Sequence, residues 1–242
     1  MKTRPLPDLD LARIAPLPTD QKWHELKLMK LGYPPYSYQP TRRSQLEILN
    51  VDAGPLGIVP RAPWAQIAEE ISKRARTDAE KIANLTVAHA LYNFADDHSI
   101  AGRRHEFFSL AVGLSGKVSY WVPAVISVDG RPTIPFIDPR RGKKLTREGR
   151  RFAFSVMHER IRAADPDFSE VELAIIQFGT HGKGESVVRT PNLHTATGVK
   201  LFDFDTVDAM VRETYEIWHA VLTEREAEAR RKGTGTTGPL GV

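Results

Sequence analysis

The sequence predicts an α/β (α+β) fold: a single mixed sheet with helices on both faces. Three observations predict it. Apolar spacing is helical over residues 77–97, gives way to β-rich runs over 105–138, and turns helical again at about Thr146. An Asp129-Gly130 pair separates two of the β-rich runs, and a tight hairpin turn demands such a pair. The chain has 242 residues, 41% of them apolar, which suffices for one large domain or a core domain with a smaller extension. The order α-β-β-β-α-β across the middle then calls for helices layered on a sheet.

Residues 1–63 read as a Pro-rich N-terminal arm or extension with little periodicity. Gly32-Tyr33-Pro34-Pro35-Tyr36 and Pro55-Leu56-Gly57 interrupt any regular element there. The Tyr/Pro stretch reads either as a segment wrapping its own domain or as an arm lying on a partner. Leu46–Val51 has the composition of a short strand.

The α/β core is expected over 64–202, opening with a short helix over Trp64–Arg76. Thr77-Asp78-Ala79-Glu80 is a capping box, with Thr at the N-cap and Glu three residues on. The helix it starts presents Ile82, Leu85 and Leu91 on one face and ends near Asp97. His105–Val112, Lys117–Val128 and Arg131–Asp138 are read as three antiparallel strands. Pro132 and Pro135 cannot donate ladder hydrogen bonds, so the third is expected to be irregular or at an edge. A helix from about Thr146 to Ala164 follows, then a buried strand over Val171–Phe178. Gly179–Gly198 is a loop region with a possible strand at Ser186–Arg189. Residues 203–232 form an amphipathic C-terminal helix opened by Thr206, and 233–242 a Gly/Thr-rich tail expected to be disordered.

Composition narrows the function. There is no cysteine, which excludes disulfides, thiolate zinc sites and a Cys nucleophile, and which suits the cytoplasm. No apolar run approaches the roughly 18 residues of a membrane span, and the N-terminus has no signal-peptide core. The net charge of +4 is unevenly spread: net +7 over 103–160 and net −4 over 203–231. That asymmetry suggests a polyanion-facing centre beside an acidic helix.

The densest chemistry lies at 138–151. Asp138-x-Arg140 ends an apolar strand, and seven Lys/Arg fall between 140 and 151 with Glu148 the only acid. Arg140, Arg141, Lys143, Lys144, Arg147, Arg150 and Arg151 are the candidate nucleic-acid-binding residues. Each phosphate neutralised by such a run releases counterions and gives salt-dependent affinity. Lys/Arg at a helix N-terminus oppose the helix dipole, so their abundance there asks for a reason. The other candidates are weaker. His181-Gly182-Lys183-Gly184-Glu185 matches no phosphate-binding fingerprint, and the histidines show no zinc spacing. Ser109, Ser115 and Ser155 lack a nucleophile elbow, and His158-Glu159 reads as a polar helix face.

Tyr120-Trp121-Val122-Pro123-Ala124-Val125, Val128-Asp129-Gly130-Arg131 and Phe136-Ile137-Asp138-Pro139-Arg140 together resemble the PD-(D/E)xK, or restriction-endonuclease-like, superfamily. Within it they are most similar to TnsA-like transposase endonuclease subunits. The likeness covers about 105–178. It implies Mg²⁺ held by Asp138 with Glu106 or Asp129, and a catalytic group of Asp138, Glu106 and Arg140. Two departures matter. Ala124 stands where the family has its central Asp, and Arg140 replaces the Lys. Arg140 could grip a phosphate but stays protonated, so it cannot act as a base. The resemblance therefore implies a DNA-binding protein of a mobile element or defence system, either a metal-dependent endonuclease or a catalytically degenerate relative. Double-stranded DNA is the expected partner, with no membrane contact. The alternative is a non-catalytic adaptor or assembly subunit, binding protein partners in a multi-subunit complex through the N-terminal arm and C-terminal helix.

Overall fold

Asp129 and Gly130 both adopt positive φ, 49° and 80°, as a two-residue type I′ turn requires. They join β4 (Ala124–Val128) to β5 (Arg131–Asp138), paired antiparallel from Val128↔Arg131. In the computed structural model, the residues described are 5–29, 37–51, 61–113, 116–182 and 187–231. The stretches 32–36, 55–57, 183–186 and 233–242 singled out in the sequence, and Ser115, lie outside them.

β5 is the central strand. The five-stranded sheet runs β1-β4-β5-β6-β7, with β1 (Ala101–Arg104), β6 (Glu172–His181) and β7 (Val188–Thr195). β5 and β6 are parallel, from Thr133↔Glu172 to Asp138↔Gln177, and the other pairs are antiparallel. A parallel pair needs a crossover, and the helix α7 (Arg147–Met157) lies within it. The expected mixed sheet is present. Of the two expectations for β5, irregular or partly at an edge, the edge is not met and the irregularity is, because its two prolines fall where the ladders are open. The Pro135 carbonyl accepts from Val122 N–H at 2.7 Å, so residue 135 faces the β4 side, where regular pairing has already ended at Ile126↔Thr133. Pro132 faces the other side, just ahead of the first β6 partner at Thr133.

Three other strand expectations are corrected. Lys117–Val128 is broken at Pro123: Gly116–Val118 (β3) pairs with Leu110–Val112 (β2) in a separate ribbon, and only Ala124–Val128 enters the main sheet. The sheet's outer strand is Ala101–Arg104, a polar segment ahead of the expected His105–Val112. Leu46–Val51 holds a helical turn, α4 (Gln45–Ile48), and Val51 alone bridges to Gly102.

Side-chain alternation along β5 and β6 divides the core. Ile134, Phe136, Leu173 and Ile175 face one layer, with Phe152 and Val156 of α7, Leu11 and Ile14 of α1 (Asp8–Ile14), and Val211 and Trp218 of α8 (Phe204–Arg231). Ile137, Ile176, Phe178 and Ile126 face the other, with Ile67 and Ile71 of α5 (Trp64–Arg74) and Val87 and Leu91 of α6 (Asp78–Asp97). The Pro-rich N-terminal stretch thus contributes core helices: α1, α2 (Thr19–Leu28) and α3 (Gln39–Arg43) as well as α4.

Caps fix the helix starts. Thr77 Oγ1 accepts from Glu80 N–H at 3.2 Å, and Thr146 Oγ1 from Gly149 N–H at 3.1 Å. The helix expected to reach Ala164 changes to a π-helical turn at His158–Arg162. No helix among the described residues is long and apolar enough to cross a membrane.

Candidate functional site at the carboxyl end of β5

Asp138 is the last residue of β5 and is fully buried. A buried carboxylate is tolerated only when its oxygens are paired. Oδ2 accepts from Leu145 N–H at 2.9 Å and from Gln177 Nε2 at 3.1 Å. Oδ1 accepts from Arg140 Nε at 3.1 Å and Arg140 N–H at 3.3 Å. The same guanidinium donates to Asp10 Oδ1 at 3.0 Å and to the Leu9 carbonyl at 3.3 Å. Asp138 and Arg140 therefore tie the 139–145 loop and helix α1 to the end of the sheet. Gln177 completes the group: its Nε2 also donates to the Leu145 carbonyl, and its Oε1 accepts from Arg150 Nη1 at 3.0 Å.

The expected metal group does not assemble. Asp129 sits in the hairpin turn at the opposite end of β5, roughly 30 Å along an extended chain of that length, and pairs with His98 Nδ1 at 2.9 Å. Glu106 is exposed, beyond the end of β1. No group of three or more His, Cys, Asp or Glu among the described residues could hold a metal ion. Ala124 is fully buried in the sheet's other face, among the residues that meet α5 and α6.

The basic run is also partly turned inward. Lys144 Nζ donates to the Phe178 carbonyl, and burial together with Arg189 lowers its pKa. Arg150 meets Gln177, and burial likewise lowers its pKa. Arg151 donates to the Lys200 carbonyl and lies 3.6 Å over the Phe202 ring. Arg141 and Arg147 are exposed, and Lys143 Nζ lies 3.9 Å from Glu25. The abundance of cations around the α7 N-terminus thus has a structural reason: most of them bind carbonyls, carboxylates or rings of this chain. Ser155 is likewise structural, donating to the Arg151 carbonyl and accepting from Phe202 N–H at 2.9 Å.

Sequence reasoning missed Asp10, Gln177 and Arg189. Arg189 donates to the carbonyls of Gly179, Pro139 and Arg140, closing the loop against β6 and β7. The available signal was a polar Gln177 inside an otherwise apolar strand.

Helices α2 and α8 are joined. Lys22 of α2, buried, donates to Glu213 of α8, and Lys27 pairs with Glu224 at 3.1 Å. Arg225 Nη2 donates to the carbonyls of Leu26, Lys27 and Met29, at 3.3, 2.8 and 2.8 Å, at the C-terminus of α2.

Residues 9–228 match the family model described as "Sliding clamp-binding bacterial toxin SocB". The chain is also 37% identical over 235 residues, 97% of each chain, to a protein of Caulobacter vibrioides (strain NA1000 / CB15N) named "DNA replication inhibitor toxin SocB". No solved structure matches. These matches span nearly the whole chain. They overturn the likeness to the PD-(D/E)xK superfamily and its TnsA-like branch, which rested on short motifs within 105–178. The reading as a DNA-binding nuclease of a mobile element, with its magnesium chemistry, falls with it.

Proposed function

The chain belongs to the SocB family of sliding clamp-binding bacterial toxins, and from that membership we propose that it arrests DNA replication by binding the sliding clamp. The observation that carries this reading is the 37% identity over 97% of both chains to a replication inhibitor toxin. The geometry supports action by binding. Asp138, the residue to which catalysis was assigned, spends both carboxylate oxygens on internal hydrogen bonds. A stoichiometric occupant blocks other occupants of the same surface by mass action, without chemistry. Such an inhibitor works in the cytoplasm, where the replicating DNA is.

The N-terminal stretch and C-terminal helix were the expected partner-binding elements of the adaptor alternative. Among the described residues, helices α1 and α2 of the N-terminal stretch and helix α8 pack into the core and α2 onto α8, so clamp contact through these helices falls on their exposed faces. The test is calorimetric titration of the full chain with the purified sliding clamp of its host. A saturable complex of fixed stoichiometry is expected. No heat, and no co-elution on size exclusion at micromolar concentrations, would overturn the reading.

A further inference from the structure

A cleft of about 690 Å³ opens beside the Asp138 hub, between α1, α3 and the end of β5. Its size falls in the roughly 300–1,000 Å³ range of small-molecule sites. It lies outside the carboxyl end of β5, where open α/β sheets characteristically bind ligands. Leu9, Tyr38, Trp121, Val122, Phe136 and Ile137 supply apolar and aromatic lining. Four of these belong to the buried core, Trp121 and Phe136 in the α7 layer and Val122 and Ile137 in the α5/α6 layer, so they line the cleft from both sides of the sheet where the β4–β5 ladder has ended.

The charged groups on the lining differ in availability. Arg140 is already spent on Asp138 and Asp10. Arg141 is exposed and forms no ion pair among the described residues. Arg42 is exposed, with Asp8 as its acidic neighbour. Burial raises the Asp8 pKa from its ordinary value, and the Arg42 charge opposes that rise. The site thus combines an apolar wall with two accessible guanidiniums.

We propose that this cleft binds a small amphipathic anion, an aryl or acyl carboxylate, with its apolar body against Trp121, Val122, Phe136 and Ile137 and its carboxylate on Arg42 and Arg141. Guanidinium–carboxylate bonds are charge-assisted and two-pronged, so the arginines select an acid over its neutral counterpart.

The experiment titrates the full chain by calorimetry with 2-naphthoate and with octanoate, each beside its neutral counterpart, 2-naphthamide and 1-octanol. The two acids distinguish an aryl from an acyl ligand. Saturable one-to-one binding of at least one acid is expected, about tenfold tighter than its neutral counterpart. Arg42→Ala/Arg141→Ala should erase that tenfold preference and leave the neutral compound unchanged. Gly142→Trp should abolish binding of both; Gly142 lines the cleft and an added Cβ there meets nothing within 4 Å, so the bulk enters open space. Arg141→Glu changes an exposed side chain and decides the charge question should either other variant fail to fold. No saturable binding of either acid overturns the proposal, and so does an acid affinity unchanged in the arginine variants.

Discussion

Asp138 and Gln177 are register partners in the parallel pair β5/β6, and their side chains are hydrogen bonded at 3.1 Å on the face covered by α7. The contact joins two adjacent strand ends to the loop that follows the first of them, because both side chains also bind Leu145, at its N–H and its carbonyl. In this protein the acid at the strand end is a fastener, and its role can be measured through stability.

Asp138→Ala leaves Leu145 N–H without its acceptor and takes one acceptor each from the Gln177 amide, which keeps the Leu145 carbonyl, and from Arg140, which keeps Asp10. It should destabilise the protein by about 1–3 kcal/mol, the usual consequence of leaving a buried hydrogen-bonding group unsatisfied. Urea unfolding checks this. An acid retained to bind metal would behave oppositely, with its removal leaving stability unchanged or raised.

The basic run should divide in two. Lys144→Ala and Arg150→Ala remove donors to the Phe178 carbonyl and to Gln177, and each should cost about 1–3 kcal/mol. Arg141→Ala and Arg147→Ala touch exposed side chains and should stay within about 0.5 kcal/mol of the parent. Thermal melts of the four variants read the split.

Acid should weaken the fold through Glu80. This buried carboxylate accepts from the Arg76 side chain and backbone and from Ser37, which hold its pKa far below the ordinary value of 4.5. Below about 4.5 the unfolded chain binds the proton and the folded chain does not. The contribution is therefore present above that value and is lost progressively as pH falls beneath it. Melting temperatures between pH 7 and pH 3 should fall less steeply for Glu80→Gln than for the parent.

Arg225→Ala removes one guanidinium that serves three carbonyls at the end of α2. The expected cost is about 1–2 kcal/mol. Hydrogen exchange should show faster opening of α2 with the α5/α6 layer unchanged.

Local signals in the sequence were read well where one residue type satisfies one geometric demand. Asp129-Gly130 supplies the two positive φ values of the turn, and the Thr77 hydroxyl oxygen caps its helix by accepting from a free N–H group. The apolar run ending in Phe178 became a buried strand for the same reason. The order and direction of the strands depended on distant partners. Pro135 suggested an edge, yet it is accommodated at the centre because Val122 and Pro123 open the ladder beside it. The site was misread for a related reason. Asp138-x-Arg140 is an acid near a base whether it binds metal or fastens a loop, and only Gln177, 39 residues on, and Asp10, 128 residues back, decide between them. The proposed clamp-binding role left no signal that charge or periodicity could expose; it rests on likeness to the family over nearly the whole chain.

The most direct test of the central claim is primer extension by a clamp-dependent polymerase on clamp-loaded DNA, with the purified chain added. The account predicts that extension falls as the chain is added, that excess free clamp restores it, and that clamp-independent extension by the same polymerase is untouched. Inhibition that excess clamp does not relieve, or no inhibition under conditions where the clamp is limiting, would contradict it.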